Sequence, residues 1–164
     1  MDRNCQITLK YFNSKGRAEV ARYILHYAGK EFTDQRIEKA DWPAMKPETP
    51  LGCLPVIELT DKSSNKTVTL CQSNAIYRQL AKLVDLAGEN FLEGAYADEA
   101  AEIIRDVGEF AAKTMFTKDD AEKEKLMAQL KEEIIPKNFG CIEKRIQENG
   151  GKNIAGGGNV SLSK

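Results

Sequence analysis

Tyr11 and Arg17 stand six residues apart in KYFNSKGRAEVARYIL, where an apolar run stops and a helical pattern begins. A tyrosine, with an ordinary pKa of about 10, remains a hydrogen-bond donor at pH 7. The pair therefore marks either an ordinary turn or a site built on a fixed donor. The remaining candidates for chemistry are few. His26 is the only histidine and falls inside an amphipathic helical stretch, where a structural or surface role fits it. Cys5, Cys53, Cys71 and Cys141 are scattered, with no C-x-x-C and no neighbouring histidine. Zinc is thereby disfavoured, and free thiols are the simplest state in a reducing compartment. A Ser-His-Asp or Cys-His mechanism would have to use His26.

The elements that must position such residues come from a chain of 164 residues, 41% hydrophobic and 30% charged, which suits one domain, or one domain and part of another, with a real core. A net charge of −1 with interspersed signs favours neither nucleic acid nor an anionic membrane as partner. No apolar run approaches the roughly 20 residues that span a bilayer, and the N-terminus lacks a signal-peptide pattern. The expected location is cytoplasmic.

Residues 6–11 (QITLKY) alternate as a half-buried strand does. From Arg17 the apolar set Val20, Ala21, Ile24, Tyr27 and Ala28 has helical spacing, and Gly29 is placed to end that helix. A strand over residues 31–37 precedes the loop KADWPAMKPETPLG, which three prolines and a glycine keep from being a long helix. Residues 54–59 and 66–70 read as a hairpin across a polar tip. A helix begins after Gln72 and Ser73, with Ile76, Leu80, Leu83 and Val84 on one face and Ser73 as cap or first-turn residue. Beyond a boundary at residues 86–90 the strand signals stop. Helices are expected over 97–115, 122–134 and 136–147, with Pro136 either opening the last or kinking a continuous one. The order is β-α-β, an irregular link, β-β-α, then all α, ending in a glycine-rich tail.

Three blocks in this order, YFNSKGRAE, ADWPAMKPETPLGCLPVIEL and CQSNAIYRQLAKLVDLAG, resemble the sigma class of glutathione transferases, which includes the haematopoietic-type prostaglandin D synthases. The resemblance runs from about Ile7 to Gly151. It implies an α/β thioredoxin-like N-terminal domain that binds glutathione (1–86) and an all-α C-terminal domain (91–164), here incomplete. It also implies a homodimer, glutathione as co-substrate and a small hydrophobic electrophile as the second substrate.

Tyr11 falls where the family has the tyrosine that stabilises the glutathione thiolate. A free thiol has a pKa of about 8.5, and a hydrogen bond to the charged form lowers it. Arg17 matches the arginine that supports this tyrosine electrostatically, and Phe12 would pack beside the ligand. In the stretch Gly52-Cys53-Leu54-Pro55, Leu54-Pro55 resembles the cis-proline dipeptide whose backbone pairs with the cysteinyl part of the peptide. Gln72 and Ser73, at a helix N-terminus, match the residues that take the γ-glutamyl carboxylate. Trp42 and Lys46 match residues at the glycine end, as an indole donor and a cation. Asp106 lines up with the acidic residue that reaches glutathione across the dimer.

The chain also departs from the family pattern. Cys53 replaces the usual lysine or glutamine before Leu-Pro, which removes or weakens one side-chain contact. The TDKSSNKTVTL hairpin is several residues longer than usual, a change expected to affect only a surface tip. Glu102 and Arg105 occupy places where some members carry metal-binding aspartates, and with the basic Arg105 no metal is expected. The match fades in GGKNIAGGGNVSLSK, as in a truncated isoform, a gene-model error or a fragment. The expected activity is thiolate attack on electrophiles, with isomerisation of prostaglandin H2 to D2 as a further expectation. The rival readings are a catalytically weak, crystallin-like relative and a thioredoxin-like redox protein. The latter is disfavoured because Tyr11 stands where such a protein would have a cysteine.

Overall fold

The computed structural model describes residues 5–154. It divides into two compact units, Met1–Leu86 and Ala87–Lys164.

The first unit contains β1 (Gln6–Phe12), α1 (Glu19–Tyr27), β2 (Thr33–Ile37), a one-turn α2 (Trp42–Met45), β3 (Val56–Thr60), β4 (Thr67–Cys71) and α3 (Ser73–Leu83). Its four strands lie in the order β2-β1-β3-β4, parallel between β1 and β2 and antiparallel in the other two pairs. The two-residue period of β1 turns Ile7 and Leu9 into the core, against Ala21 and Leu25 of α1 and Ile76 and Leu80 of α3. Tyr11 is next in that row, so its ring packs on the core while its hydroxyl reaches the strand end. Phe12 pairs with Ile37, Lys10 with Val56, and Val56 with Cys71. The ends of β1, β2 and β4 and the start of β3 therefore share one edge of the unit.

The strands after β1 start one or two residues later than the sequence pattern suggests, and each hydrogen-bonded span is short. The inward face of the first helix also differs from the apolar spacing. Val20 and Tyr27 are 45% and 53% exposed, whereas Ala18, Ala21, Arg22 and Leu25 are buried. Both sets fit a 3.6-residue period, so periodicity alone could not choose between them. The polar contacts of Arg22 favour the second. Gly29 has φ +61 and follows the helix as expected.

In the second unit α4 covers Phe91–Phe116, α5 Asp120–Gln129 and α6 Ile135–Glu148. The helix α4 begins six residues before the expected 97, because Asn90 caps it. The Asn90 side-chain oxygen accepts from the N–H groups of Leu92 and Glu93, and Glu93 accepts from the Glu89 N–H. This is a variant of the capping box in E-N-F-L-E, with Glu93 reaching the N–H one residue before the cap and the Asn90 side-chain amide rather than the Asn90 N–H. A π turn over Leu130–Ile134 joins α5 to α6. Pro136 has no N–H to give to the preceding turn, so it widens a continuous helix at that point. Asn138 Nδ2 donates to the Ile134 carbonyl there at 2.8 Å.

Candidate functional site

The shared edge of the sheet brings together the segments in which the sequence placed its site. After β1 the chain enters a 3₁₀ turn, Gly16–Ala18. The Arg17 backbone N–H donates to Tyr11 Oη at 3.2 Å. A backbone N–H can only donate, so the tyrosine oxygen is the acceptor and its own proton is left for another group. Gly16, at φ +42, leaves the room for this contact. A Cβ on it would lie 2.7 Å from the tyrosine hydroxyl.

The turn is held from below by a buried arginine that sequence reasoning passed over. Arg22, 4% exposed, donates through Nη1 to the carbonyls of Ser14 and Lys15, both at 3.2 Å. Its Nε meets both carboxylate oxygens of Asp34 at 3.2 Å, and Nη1 meets Glu19 at 2.8 Å. Arg36 adds a second bond to the Ser14 carbonyl and pairs with Asp34. The sequence signal was a charged residue at an inward helical position, which an apolar count discards.

Tyr77 is the other missed residue. Its hydroxyl donates to the Arg17 carbonyl, and Ser73 is hydrogen-bonded to the same tyrosine. Burial pushes the Tyr77 hydroxyl above its ordinary value, and the nearby Tyr11 adds to this. Ser73 and Arg17 oppose it. Tyr77 thus stays a donor beyond the usual tyrosine range and links Ser73 to the turn that holds Tyr11.

Phe12 lies edge-on to Tyr11, with ring centroids 5.6 Å apart, and Trp42 lies edge-on to Phe12 at 5.7 Å. An aromatic line therefore runs from Tyr11 into α2. The Lys46 stem passes close to Gly52, where a Cβ would meet Lys46 Cε at 3.5 Å. The Leu54–Pro55 bond is cis, as expected of the dipeptide. Ser73 opens α3 as its first residue, and Gln72 precedes it at φ 73, ψ 111. A non-glycine residue there costs on the order of 1–3 kcal/mol, a cost that clusters at ligand sites. The Gln72 side chain does not cap α3.

Asp106 is in the second unit, on α4. It is 64% exposed and meets Arg105 at 3.3 Å. Arg105 also pairs with Glu102 at 2.5 Å and Glu109 at 3.8 Å, so a cation already occupies this acidic cluster. Among the described residues no group of three or more His, Cys, Asp or Glu is placed to hold a metal ion. Nor is any described helix long and apolar enough to cross a membrane.

A mixed sheet of this order with a cis-proline ahead of β3, followed by an all-helical unit, defines the class: a thioredoxin-like domain joined to a helical one. A sequence profile described as the C-terminal domain of glutathione S-transferase matches residues 105–161 and so runs into the glycine-rich tail. Glutathione S-transferase 1 of Ascaris suum is 33% identical over 154 residues, covering 92% of this chain and 72% of that protein. The haematopoietic prostaglandin D synthase of Mus musculus is 45% identical over 98 residues, 60% of this chain and 46% of the mouse protein. Among solved structures, the sigma-class glutathione transferase of Fasciola hepatica superposes with a TM-score of 0.77 at 29% identity. That superposition covers 95% of this chain and 73% of the other. The chain belongs to the glutathione S-transferase family.

Proposed function

We propose that residues 1–86 bind glutathione at this strand-end site and activate its thiol for attack on a small hydrophobic electrophile. The observation that carries the proposal is the Tyr11 hydroxyl, held as an acceptor by the Arg17 N–H with its own proton left to donate. Aimed at sulfur, that proton stabilises the thiolate over the thiol and lowers the thiol pKa. Arg17 thus acts through its backbone N–H, which fixes the hydroxyl. Accepting this bond also polarises the O–H, which makes it a stronger donor.

The γ-glutamyl carboxylate then lies at the N-terminus of α3, beside Gln72 and Ser73, where N–H groups and the helix dipole favour an anion. Leu54 offers its backbone to the cysteinyl part, with Gly52, Cys53 and Pro55 shaping that wall. Trp42 and Lys46 serve the glycine carboxylate, and Phe12 packs alongside. The mouse relative is named a prostaglandin D synthase, and isomerisation of prostaglandin H2 to D2 is the corresponding proposal here. A homodimer in which Asp106 reaches the partner's glutathione, a cytoplasmic location and residues 91–164 as the helical domain complete the reading.

The test is retention on immobilised glutathione. Replacing Gln72 and Ser73 together with alanine removes hydrogen bonds to charged groups worth about 1.5–3 kcal/mol each. Retention is expected to fall at least tenfold. Unchanged retention with an intact circular-dichroism spectrum would sink the assignment.

A further inference from the structure

Residue 17 is held on both sides of its backbone. Its N–H donates to Tyr11 Oη at 3.2 Å, and its carbonyl accepts from the Tyr77 hydroxyl. Tyr77 lies one turn into α3, next to the buried Ile76. Its half-buried ring packs on the same core cluster as the ring of Tyr11. The helix thereby brings to the end of β1 a hydroxyl that is 60 residues away in sequence.

The turn between them has a soft point. Gly16 stands at φ +42, and glycine populates negative φ about as readily as positive. Upstream, Arg22 holds the carbonyls of Ser14 and Lys15. Downstream, the Glu19 N–H returns to the Gly16 carbonyl, which shares a rigid peptide plane with the Arg17 N–H. The next plane carries the Arg17 carbonyl, and Tyr77 holds that one. With both planes held, φ and ψ of Arg17 are set and its N–H stays aimed at Tyr11.

We propose that Tyr77 is a positioning residue for thiol activation: by gripping the Arg17 carbonyl it keeps the Arg17 N–H on Tyr11 Oη, and so keeps the Tyr11 proton directed at sulfur. Its part in activation rests on the reading in the preceding subsection; the link from Tyr77 through residue 17 to Tyr11 does not.

The effect is mechanical. The Tyr77 bond polarises the peptide after Arg17, whereas the N–H that meets Tyr11 belongs to the peptide before it. The two tyrosines share no amide, and Tyr77 acts by narrowing the motion of residue 17. Burial raises the Tyr77 hydroxyl above its ordinary value, so this donor keeps its proton across the range in which a thiol ionises.

The experiment compares the unsubstituted protein with Tyr77→Phe, Tyr11→Phe and the double variant. Tyr77→Phe keeps the ring on the core and deletes one oxygen. The first measurement, without glutathione, is the amide proton shift of Arg17 by nuclear magnetic resonance. A hydrogen-bonded amide proton lies downfield, so in Tyr77→Phe it is expected to move upfield, towards its position in Tyr11→Phe. The second is the titration midpoint of the thiol in the glutathione complex. It is expected to rise in Tyr77→Phe by about half a unit, less than in Tyr11→Phe and within what one neutral hydrogen bond can supply. The double variant is expected to titrate with Tyr11→Phe, since Tyr77 acts only through Tyr11. A purely structural tyrosine would lower the urea midpoint and leave the thiol where it was. An unmoved Arg17 amide in Tyr77→Phe overturns the proposal. So does a thiol midpoint that only Tyr11→Phe raises, or two shifts that add in the double variant. An upfield Arg17 amide with no thiol shift in any variant, Tyr11→Phe included, overturns activation by Tyr11 and the activating role of Tyr77 with it, and leaves the link standing.

Discussion

Replacing Tyr11 with phenylalanine keeps the ring that packs on the core and beside Phe12, and deletes one oxygen. That oxygen has two partners in our reading: the Arg17 N–H, at 3.2 Å, and the glutathione sulfur. The first is a solvent-exposed contact, so its loss costs about 0.5–1.5 kcal/mol and leaves the fold intact. The second is a hydrogen bond to a charged group, worth about 1.5–3 kcal/mol and made chiefly to the thiolate. At about 1.36 kcal/mol per pKa unit, its removal raises the pKa of bound glutathione by roughly 1–2 units, back toward the free value of about 8.5. The assay is a pH titration of thiolate ultraviolet absorbance in the glutathione complex, which needs no electrophile. Affinity for glutathione should change little, because the other contacts hold the peptide. Conjugation at neutral pH should slow by less than the thiolate population falls, since the more basic thiolate is the better nucleophile. The rate deficit should vanish as pH rises above the free thiol value. Coincident titration midpoints for the two proteins would refute the argument, whatever the rates.

Two further perturbations test how the site is supported. Arg22→Leu removes a buried cation from Asp34, Glu19 and two carbonyls, and breaking such a pair costs about 3–5 kcal/mol. The carboxylate side chains keep 27% and 23% exposure, so the low end, about 3 kcal/mol, is expected in urea denaturation. A loss under about 1 kcal/mol would mean that Arg22 does not clamp the Ser14–Lys15 turn. At the hairpin tip, the Ser63 hydroxyl, the Ser64 N–H and hydroxyl and the Ser63 N–H all donate to Asp61, which holds its carboxyl well below the usual carboxylate range. A depressed folded value means that the turn's contribution is present above the unfolded value of about 3.9 and is lost as pH falls through the folded one. Nuclear magnetic resonance should find Asp61 still ionised at about pH 3, and an ordinary titration midpoint would contradict these bonds.

Much of the architecture was legible from local signals. The alternation in QITLKY, the hairpin around TDKSSN, the glycine after α1 and Ser73 at the head of α3 all found their elements. Each depends on periodicity or on one residue's backbone preference, which neighbours in sequence express. The start of α4 was equally local and still missed, because its signal is the Asn90–Glu93 box rather than an apolar stripe.

By itself the sequence determined the types and order of the elements, the tyrosine at the end of β1 and the three blocks that mark the family. These are short-range matters of propensity, period and motif. Tertiary structure decided which face of α1 turns inward, because burying Arg22 is tolerable only where Asp34, Glu19 and the Ser14 and Lys15 carbonyls converge on it. It decided that Arg17 meets Tyr11 through a backbone N–H and that Tyr77, 60 residues away, ties Ser73 to the same turn.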